Sequence, residues 1–522
     1  MTAPEPKLVI PVVPRNAPKA IVIGAGLGGL SAAMRLGAKG YRVTIIDRLD
    51  RLGGRGSSIA KSGYRFDLGP TILTVPDVFR RLWSDCGRDF DAEVNITPVD
   101  PYYEIRWQDG SKFQIRDSQK DMDAEVRRIF PSDFAGYQRF LKDCEKRYTF
   151  GFEGLGRRPL NKLWDLVKEL PGFVALRADQ SVYQHAAKRV KDPRFRMALS
   201  FHPLFIGGDP RHVTSMYILV SHLEKAFGVH YAMGGVQAIA QAMVRVIEAQ
   251  GGQVLMGTEV DEITTAGGRV SGVDLAGGGH IGADVVVSNA DAGHTYTRLL
   301  RNHPRKRWSD AKLRGMRWSM GLFVWYFGTK GTRALWPDVG HHTIAVGPRY
   351  KTHIRDIFQR GHLADDMSLY VHRPSVTDRS VAPAGDDTFY ALSPVPHLGH
   401  DDPTDWAAMA EPYRQKMQAM LEERLLPGLG RHIGPSLVFT PETFRDRYLS
   451  PLGAGFSIEP RILQSAWFRP HNVSEELPGL FLAGAGTHPG AGLPGVIGTA
   501  EVMAQMVPDA LHPVVAPRMA AE

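Results

Sequence analysis

From Lys19 the apolar positions form a short run, KAIVI, then recur at helical spacing through LSAAMRLGAKG, then form a second β-branched run, YRVTIID. This order predicts a strand, a helix stopped by Gly40 and a second strand, with the glycines of GAGLGG in the first turn. From about residue 80 to 225 charged and aromatic segments such as VRRIF, YQRFLKDCEKRYTF and NKLWDLVKELPGFVALR replace this texture and read as helices. The α/β pattern returns in MGGVQAIAQAMVRVIEAQGGQVLMGTEVDEI, a helix, a glycine stop and a strand, followed by the short strands of a β-meander. Residues 310–440 are mixed, with strands such as LFVWYFG and FYALSPV, and the chain closes on a strand (LFLAG), a glycine-rich loop and a helix.

These elements predict an α/β chain. A Rossmann-type nucleotide-binding domain is built from the discontinuous segments 19–80, 226–300 and 470–510. A mixed α+β substrate-binding domain comes from 81–150 and 301–469, and 151–225 is a helical, membrane-facing insertion. Residues 1–18, rich in proline, read as a flexible leader.

Length supports several cores, because 522 residues exceed what one hydrophobic core organises. With 43% hydrophobic and 23% charged residues the composition is that of an ordinary globular protein. The longest apolar runs, such as SMGLFVWYFG, are about half the ~18 residues of a membrane-spanning helix. The N-terminus lacks the basic region and apolar core of a secretory signal, so a cytoplasmic location is expected. Cys86 and Cys144 give neither a C-x-x-C redox motif nor metal-ligand spacing. The formal charge of +8 is spread without a dense basic block, and no nucleic-acid-binding module is present, so no nucleic-acid partner is expected.

Gly24, Gly26 and Gly29 follow the first predicted strand and open the first helix as G-x-G-x-x-G. The first glycine allows the tight turn, the second lets backbone approach a pyrophosphate and the third lets helix pack on strand. The helix N-terminus adds free N–H groups and a partial positive charge. Asp47 closes the second strand 23 residues after Gly24, where a ribose-binding acid belongs. Gly53, Gly54 and Arg55 follow, offering close backbone approach and a charge-assisted donor, and Gly69-Pro70-Thr71 makes a further tight turn. A cofactor whose second half threads through the protein needs these additions. Near the C-terminus Gly490, Gly492 and Gly495 repeat the fingerprint spacing, yet no strand with an acid follows. This stretch therefore reads as the far end of the same cofactor site.

GAGLGGL, DRLDRLGGR, FDLGPT and GAGTHPGAGLPGVIG together resemble the FAD-dependent amine-oxidase-like superfamily. SFHPLFIGGDP, VSNADAGHTY, HHTIAVGPRY, FYALSPVPHL and FSIEPRILQSAWFRPHN resemble, more narrowly, its bacterial phytoene desaturases of carotenoid synthesis. The resemblance runs from about Lys19 to Pro508. It implies FAD held by Gly24, Gly26, Gly28, Gly29, Asp47, Arg48, Gly53, Gly54, Arg55, Gly69, Pro70 and Thr71, with the backbone of Val260 at the adenine. Gly484, Gly486, Thr487, Pro494, Gly495, Val496 and Ile497 would lie at the flavin. Many superfamily members carry a glutamate where this chain reads Gly484-Ala485-Gly486-Thr487, so its contacts are expected from backbone or Thr487.

The implied reaction is stepwise desaturation of phytoene to neurosporene and/or lycopene. A hydride passes to flavin N5, a proton leaves the neighbouring carbon, and electrons go on to a quinone or dioxygen. Phytoene and longer-polyene intermediates are the implied partners. Asp165, flanked by Leu163, Trp164, Leu166 and Val167, with Lys168 three residues on, is a candidate proton acceptor; a plain i,i+3 ion pair explains the same spacing. Another carotenoid flavoenzyme, such as a later-step desaturase or a cis–trans isomerase, and a non-enzymatic prenyl-lipid carrier are the alternatives. No metal site is expected, since adjacent His341 and His342 should not share one face. Arg157, Arg158, Lys162 and Lys168 interleaved with Leu163, Trp164, Leu166 and Phe173 suit an interfacial helix, which would place the protein peripherally on the cytoplasmic side of a membrane.

Overall fold

The computed structural model describes residues 13, 14 and 16–510; most of the expected leader lies outside the described residues. Strands β1 (Lys19–Ile23), β2 (Arg42–Asp47), β3 (Gln253–Met256), β4 (Val285–Ser288) and β5 (Leu480–Leu482) form a parallel five-stranded sheet of order β3-β2-β1-β4-β5. The first two are adjacent in sequence, whereas the others arrive from far along the chain.

Strand alternation divides β1 between two cores. Ala20 and Val22 pack under helices α1 (Leu27–Ala38), α2 (Val236–Ala249) and α3 (Leu493–Ala504). Ile21 and Ile23 face a second core with Tyr296, Trp308 and the antiparallel strands Val260–Ala266, Arg269–Leu275 and His280–Gly282.

A seven-stranded sheet forms the other large layer. Its spatial order is Ile433–Phe439, Gly321–Thr329, Asp387–Val395, Leu369–His372, His342–Ala345, Tyr103–Arg106 and Lys112–Ile115, with a parallel pair only between 342–345 and 103–106. The strand Gly321–Thr329 is buried throughout. Phe323, Trp325 and Phe327 point into a core under the helix Trp406–Arg424, while Leu322, Val324 and Tyr326 share another core with Tyr64, Phe66 and Leu68.

Helices run from Gln119 to Phe227, so the helical layer starts ahead of residue 151. Their core, including Phe130, Phe140 and Phe195, is shared with Tyr103 and Ile105 of the seven-stranded sheet. Among the described residues no helix is long and apolar enough to cross a membrane.

Candidate functional site

The loops at the C-terminal ends of β2, β1, β4 and β5 open into one cavity of about 760 Å³, at the edge where parallel α/β sheets bind ligands. Gly24 (φ 100°) turns the chain out of β1, its N–H donating to the Ile46 carbonyl at 2.8 Å. A Cβ on Gly29 would lie 2.0 Å from the Gly24 carbonyl oxygen, so only glycine lets α1 sit this close to the turn. The loop after β4 supplies an unexpected element. Cβ atoms on Gly26, Gly28 and Gly484 would lie 2.8, 2.6 and 2.6 Å from the amide of Asn289. The same amide donates to the Ala483 carbonyl at 2.9 Å. One side chain thus fills the space left by glycines of both the first and the last loop.

The cradle is polar in a particular way. Asp47 accepts the Ala25 and Leu49 N–H groups at 2.7 and 2.8 Å, and burial pushes its carboxyl up while these donors oppose the shift. Each oxygen keeps a further lone pair for a hydroxyl. Arg55 donates to Ser450 Oγ, and burial pulls its guanidinium down. Arg55 Nε, Arg447 Nε and Nη2, Tyr448 Oη and Asp291 Oδ2 are buried without hydrogen-bond partners, and all five groups belong to residues lining the cavity. Such orphans are rare unless a ligand satisfies them. Unpaired guanidinium donors with a carboxylate oxygen suit a diphosphate joined to a polyol, and the residues present fit FAD.

Beyond the cradle the wall becomes apolar. Leu166, Leu170 and Phe173 of the helix Leu163–Ala175, Phe205, Leu223, Leu322, Val324, Ile462 and Leu463 line it. Thr71 Oγ1 and Tyr370 Oη meet at 2.6 Å, and Tyr326 donates to the Leu68 carbonyl at 2.9 Å, so the seven-stranded sheet fixes the Gly69–Thr71 turn. Glu224 also borders the cavity, its carboxylate accepting from Tyr103 Oη at 2.6 Å and lying 3.1 Å from His202 Nε2.

The family model described as "Flavin containing amine oxidoreductase" matches residues 27–507. The chain belongs to the flavin-containing amine oxidoreductase family. Within it, the chain is 70% identical over 495 residues to a "Phytoene desaturase (neurosporene-forming)" of Cereibacter sphaeroides, covering 95% of each chain. It is 66% identical over 496 residues, again 95% of each chain, to the protein of that name from Rhodobacter capsulatus. A "Phytoene desaturase (lycopene-forming)" of a Paracoccus species is 42% identical over 94% of this chain and 97% of its own. An oxidoreductase structure from Methanosarcina mazei shares the fold with a TM-score of 0.63 at 19% identity, covering 93% of this chain and 99% of its own.

FAD is the cofactor of this flavin-containing amine oxidoreductase. Of the cofactor residues named from the sequence, all line the cavity except Gly29, Thr487 and Ile497. Gly29 serves helix–strand packing, and Ile497 is buried in the core beneath the sheet. Thr487 is turned inward: its hydroxyl donates to the Gly484 carbonyl at 3.0 Å and receives Asn472 Nδ2 at 3.4 Å. It is not among the residues that line the cavity. Sequence reasoning missed Asn289, Asp291, Arg447 and Tyr448. The first two end a parallel strand, which was a usable signal; nothing local marks the other two.

Asp165 and Lys168 are not among the cavity-lining residues. Asp165 Oδ2 accepts the Lys162 N–H at 3.0 Å and so caps the helix whose Leu166, Leu170 and Phe173 do line the cavity. Lys168 is exposed. The expectation that His341 and His342 stay apart is corrected. The strand begins at His342, so His341 lies in the preceding turn and escapes strand alternation. Their rings are 4.4 Å apart, His341 Nε2 meets His372 Nε2 at 3.0 Å, and one nitrogen from each of the three lies within 4.8 Å of the others. Adjacency is therefore no argument against a metal there. Burial pushes all three imidazoles down, to about 4 for His342, which keeps the set neutral. His488 lines the cavity; Nε2 donates to the Leu155 carbonyl at 2.9 Å and burial lowers the ring to about 4.

Proposed function

We propose that this chain desaturates phytoene stepwise to neurosporene, with lycopene as the product of a further step, using FAD. The observation that carries the reading is a single cavity that starts at the glycine loops and continues along an apolar wall. Names of the 70% and 66% relatives favour neurosporene as the end point.

When bound, FAD supplies the hydride acceptor. The chain's own residues bind and orient. Gly69, Pro70 and Thr71, held by Tyr326 and Tyr370, border the cavity together with the N-terminal turn of α3 around Pro494, Gly495 and Val496. That helix end brings free N–H groups and a partial positive charge, suited to negative charge on a reduced cofactor. Phe205, Leu223, Leu322 and Val324 exclude water and hold a hydrocarbon by shape, because it offers no hydrogen-bonding handle.

The apolar arm reaches the surface. Leu170, Ile462 and Leu463 line the cavity and are 47%, 45% and 68% exposed, beside Leu163, Trp164 and Val174 at 56%, 62% and 70%. Arg157 pairs with Glu153 and Glu501, and the exposed Arg158 with Glu169, while Lys162 and Lys168 are further exposed cations of this stretch. This surface supports peripheral docking on the cytoplasmic face of a membrane, so that lipid-dissolved phytoene enters directly. A quinone would reach the same mouth; dioxygen serves as the alternative acceptor.

Anaerobic incubation of flavin-loaded protein with phytoene in liposomes tests the reading. Bleaching of oxidised flavin together with a longer polyene is expected. A redox-neutral isomerase would leave the flavin oxidised and form no new double bond, and a colourless, flavin-free purified protein would favour the carrier alternative.

A further inference from the structure

The four cavity loops follow one another across the sheet in the order β2, β1, β4, β5. Asp47 ends β2, the Gly24 turn follows β1, Asn289 to Asp291 follow β4, and Gly484 to Gly495 follow β5. A cofactor reaching from Asp47 to the last loop must pass the loop after β4. In FAD the segment between diphosphate and ring is a polyhydroxyl chain, and Asp291 stands beside that path.

Asp291 is divided between two tasks. Oδ1 accepts the Gly293 N–H at 2.9 Å and caps the short turn Ala292–His294, while Oδ2 is buried and unpartnered. The next residue, Ala292, closes against the last glycine loop: a Cβ on Gly486 would be 3.0 Å from Ala292 Cβ and 3.0 Å from Ser457 Oγ, a buried hydroxyl that acts on the Asp291 carboxylate. Burial pushes the Asp291 carboxyl up, and the Arg55 guanidinium, the Ser457 hydroxyl and the Gly293 N–H counteract it. A desolvated carboxylate oxygen facing a ligand cavity is costly without a donor. A hydroxyl donor satisfies it; a phosphate oxygen would repel it.

We infer that Asp291 accepts a hydrogen bond from a hydroxyl of the ribityl chain and so positions the flavin end of the cofactor. The inference rests on FAD being the cofactor. It makes Asp291 a positioning residue selective for one half of that molecule, distinct from the glycine turn, which holds the diphosphate.

Apoprotein is titrated with FAD and, separately, with ADP, which keeps the adenosine and diphosphate but lacks the polyol. Asp291→Ser retains an oxygen to cap the Gly293 N–H but is too short to reach the cavity. FAD affinity should fall about ten- to a hundredfold, the range of a hydrogen bond to a charged group, while ADP affinity stays within about twofold. Unchanged FAD affinity overturns the inference, as does an equal loss for FAD and ADP. Should Asp291→Ser not fold, judged by apoprotein melting, Asp291→Asn keeps the cap but offers a donor where the carboxylate accepts, so FAD affinity should fall by less than for serine with ADP affinity still unchanged. Failure of the native apoprotein to bind FAD would instead sink the cofactor assignment.

Discussion

The Asn289 side-chain amide donates to the Ala483 backbone carbonyl at 2.9 Å, tying the loop after β4 to the loop after β5. Because Gly26 and Gly28 of the first loop press on the same amide, the two glycine-rich stretches at opposite ends of the chain form one cradle. Asn289→Ala should leave the fold intact but weaken FAD binding about tenfold or more, through a lost hydrogen bond and a void among the glycines. Gly28→Ala, whose Cβ would meet Asn289 Nδ2 at 2.6 Å and Val496 Cγ1 at 3.0 Å, should do the same from the other side. Fluorescence titration of the apoproteins checks both, and native-like affinity in either would separate the two loops.

Asp165 gives a second test, because a capping carboxylate and a proton acceptor respond differently to one replacement. Asp165→Ala removes the acceptor for the Lys162 N–H and should loosen the helix Leu163–Ala175, lowering turnover as Leu166 and Phe173 lose their place. Asp165→Gln, which still accepts that bond but cannot take a proton, should restore most of the rate. A glutamine variant as slow as the alanine variant would return Asp165 to the chemistry.

Stability should depend on Asp67. Its carboxyl is pushed up to about 7 by burial, with Asp378 adding to the rise and Tyr231 and Arg65 opposing it, and Oδ1 has no partner. An unfolded aspartate titrates near ~3.9, so between about pH 4 and 7 the folded chain holds a proton that the unfolded chain has released. Stability therefore falls as pH rises through that window, by up to ~4 kcal/mol, and is fully present below it. Denaturant unfolding of Asp67→Asn should show a flatter profile across the same range.

The exposed rim makes a prediction about membranes. Trp164→Ser with Leu463→Ser removes two apolar side chains that are 62% and 68% exposed, Leu463 lining the cavity and Trp164 on the helix whose Leu166 and Leu170 line it. At roughly 1.5–3 kcal/mol each, partition to anionic vesicles should drop about a hundredfold or more, with flavin binding unchanged. Co-sedimentation measures the first and flavin absorbance the second; equal sedimentation of variant and native protein would move the docking surface elsewhere.

The βαβ unit at Lys19–Asp47 was readable because its signals are local: an apolar run, glycines at a fixed spacing, a helical period and a second run. The Gly490–Gly495 stretch was readable as part of the same site because a nucleotide fingerprint without a following strand is incomplete. His341 and His342 misled, since strand alternation was applied to a residue just outside the strand. For Thr487 and Asp165 the structure adds what sequence cannot carry. Residue type and neighbours suggested chemistry, while the direction of each side chain, inward for Thr487 and back along its helix for Asp165, depends on packing.

By itself the sequence determined the kinds of element, the glycine turns that demand close approach and the acid at the end of β2. Each follows from periodicity or from the conformational limits of single residues. Tertiary structure alone decided that the loop after β4 joins the two glycine loops at the cofactor. That choice rests on parallel pairing of β1 with β4 and of β4 with β5, contacts between residues hundreds of positions apart that no local pattern encodes. The same pairing delivers Asn289 and Asp291 between the two glycine loops, and packing of the helix Pro441–Tyr448 brings Arg447 to the cavity wall. Nonlocal pairing is fixed by burial across whole sheets, so these residues acquire their roles only once the chain has folded.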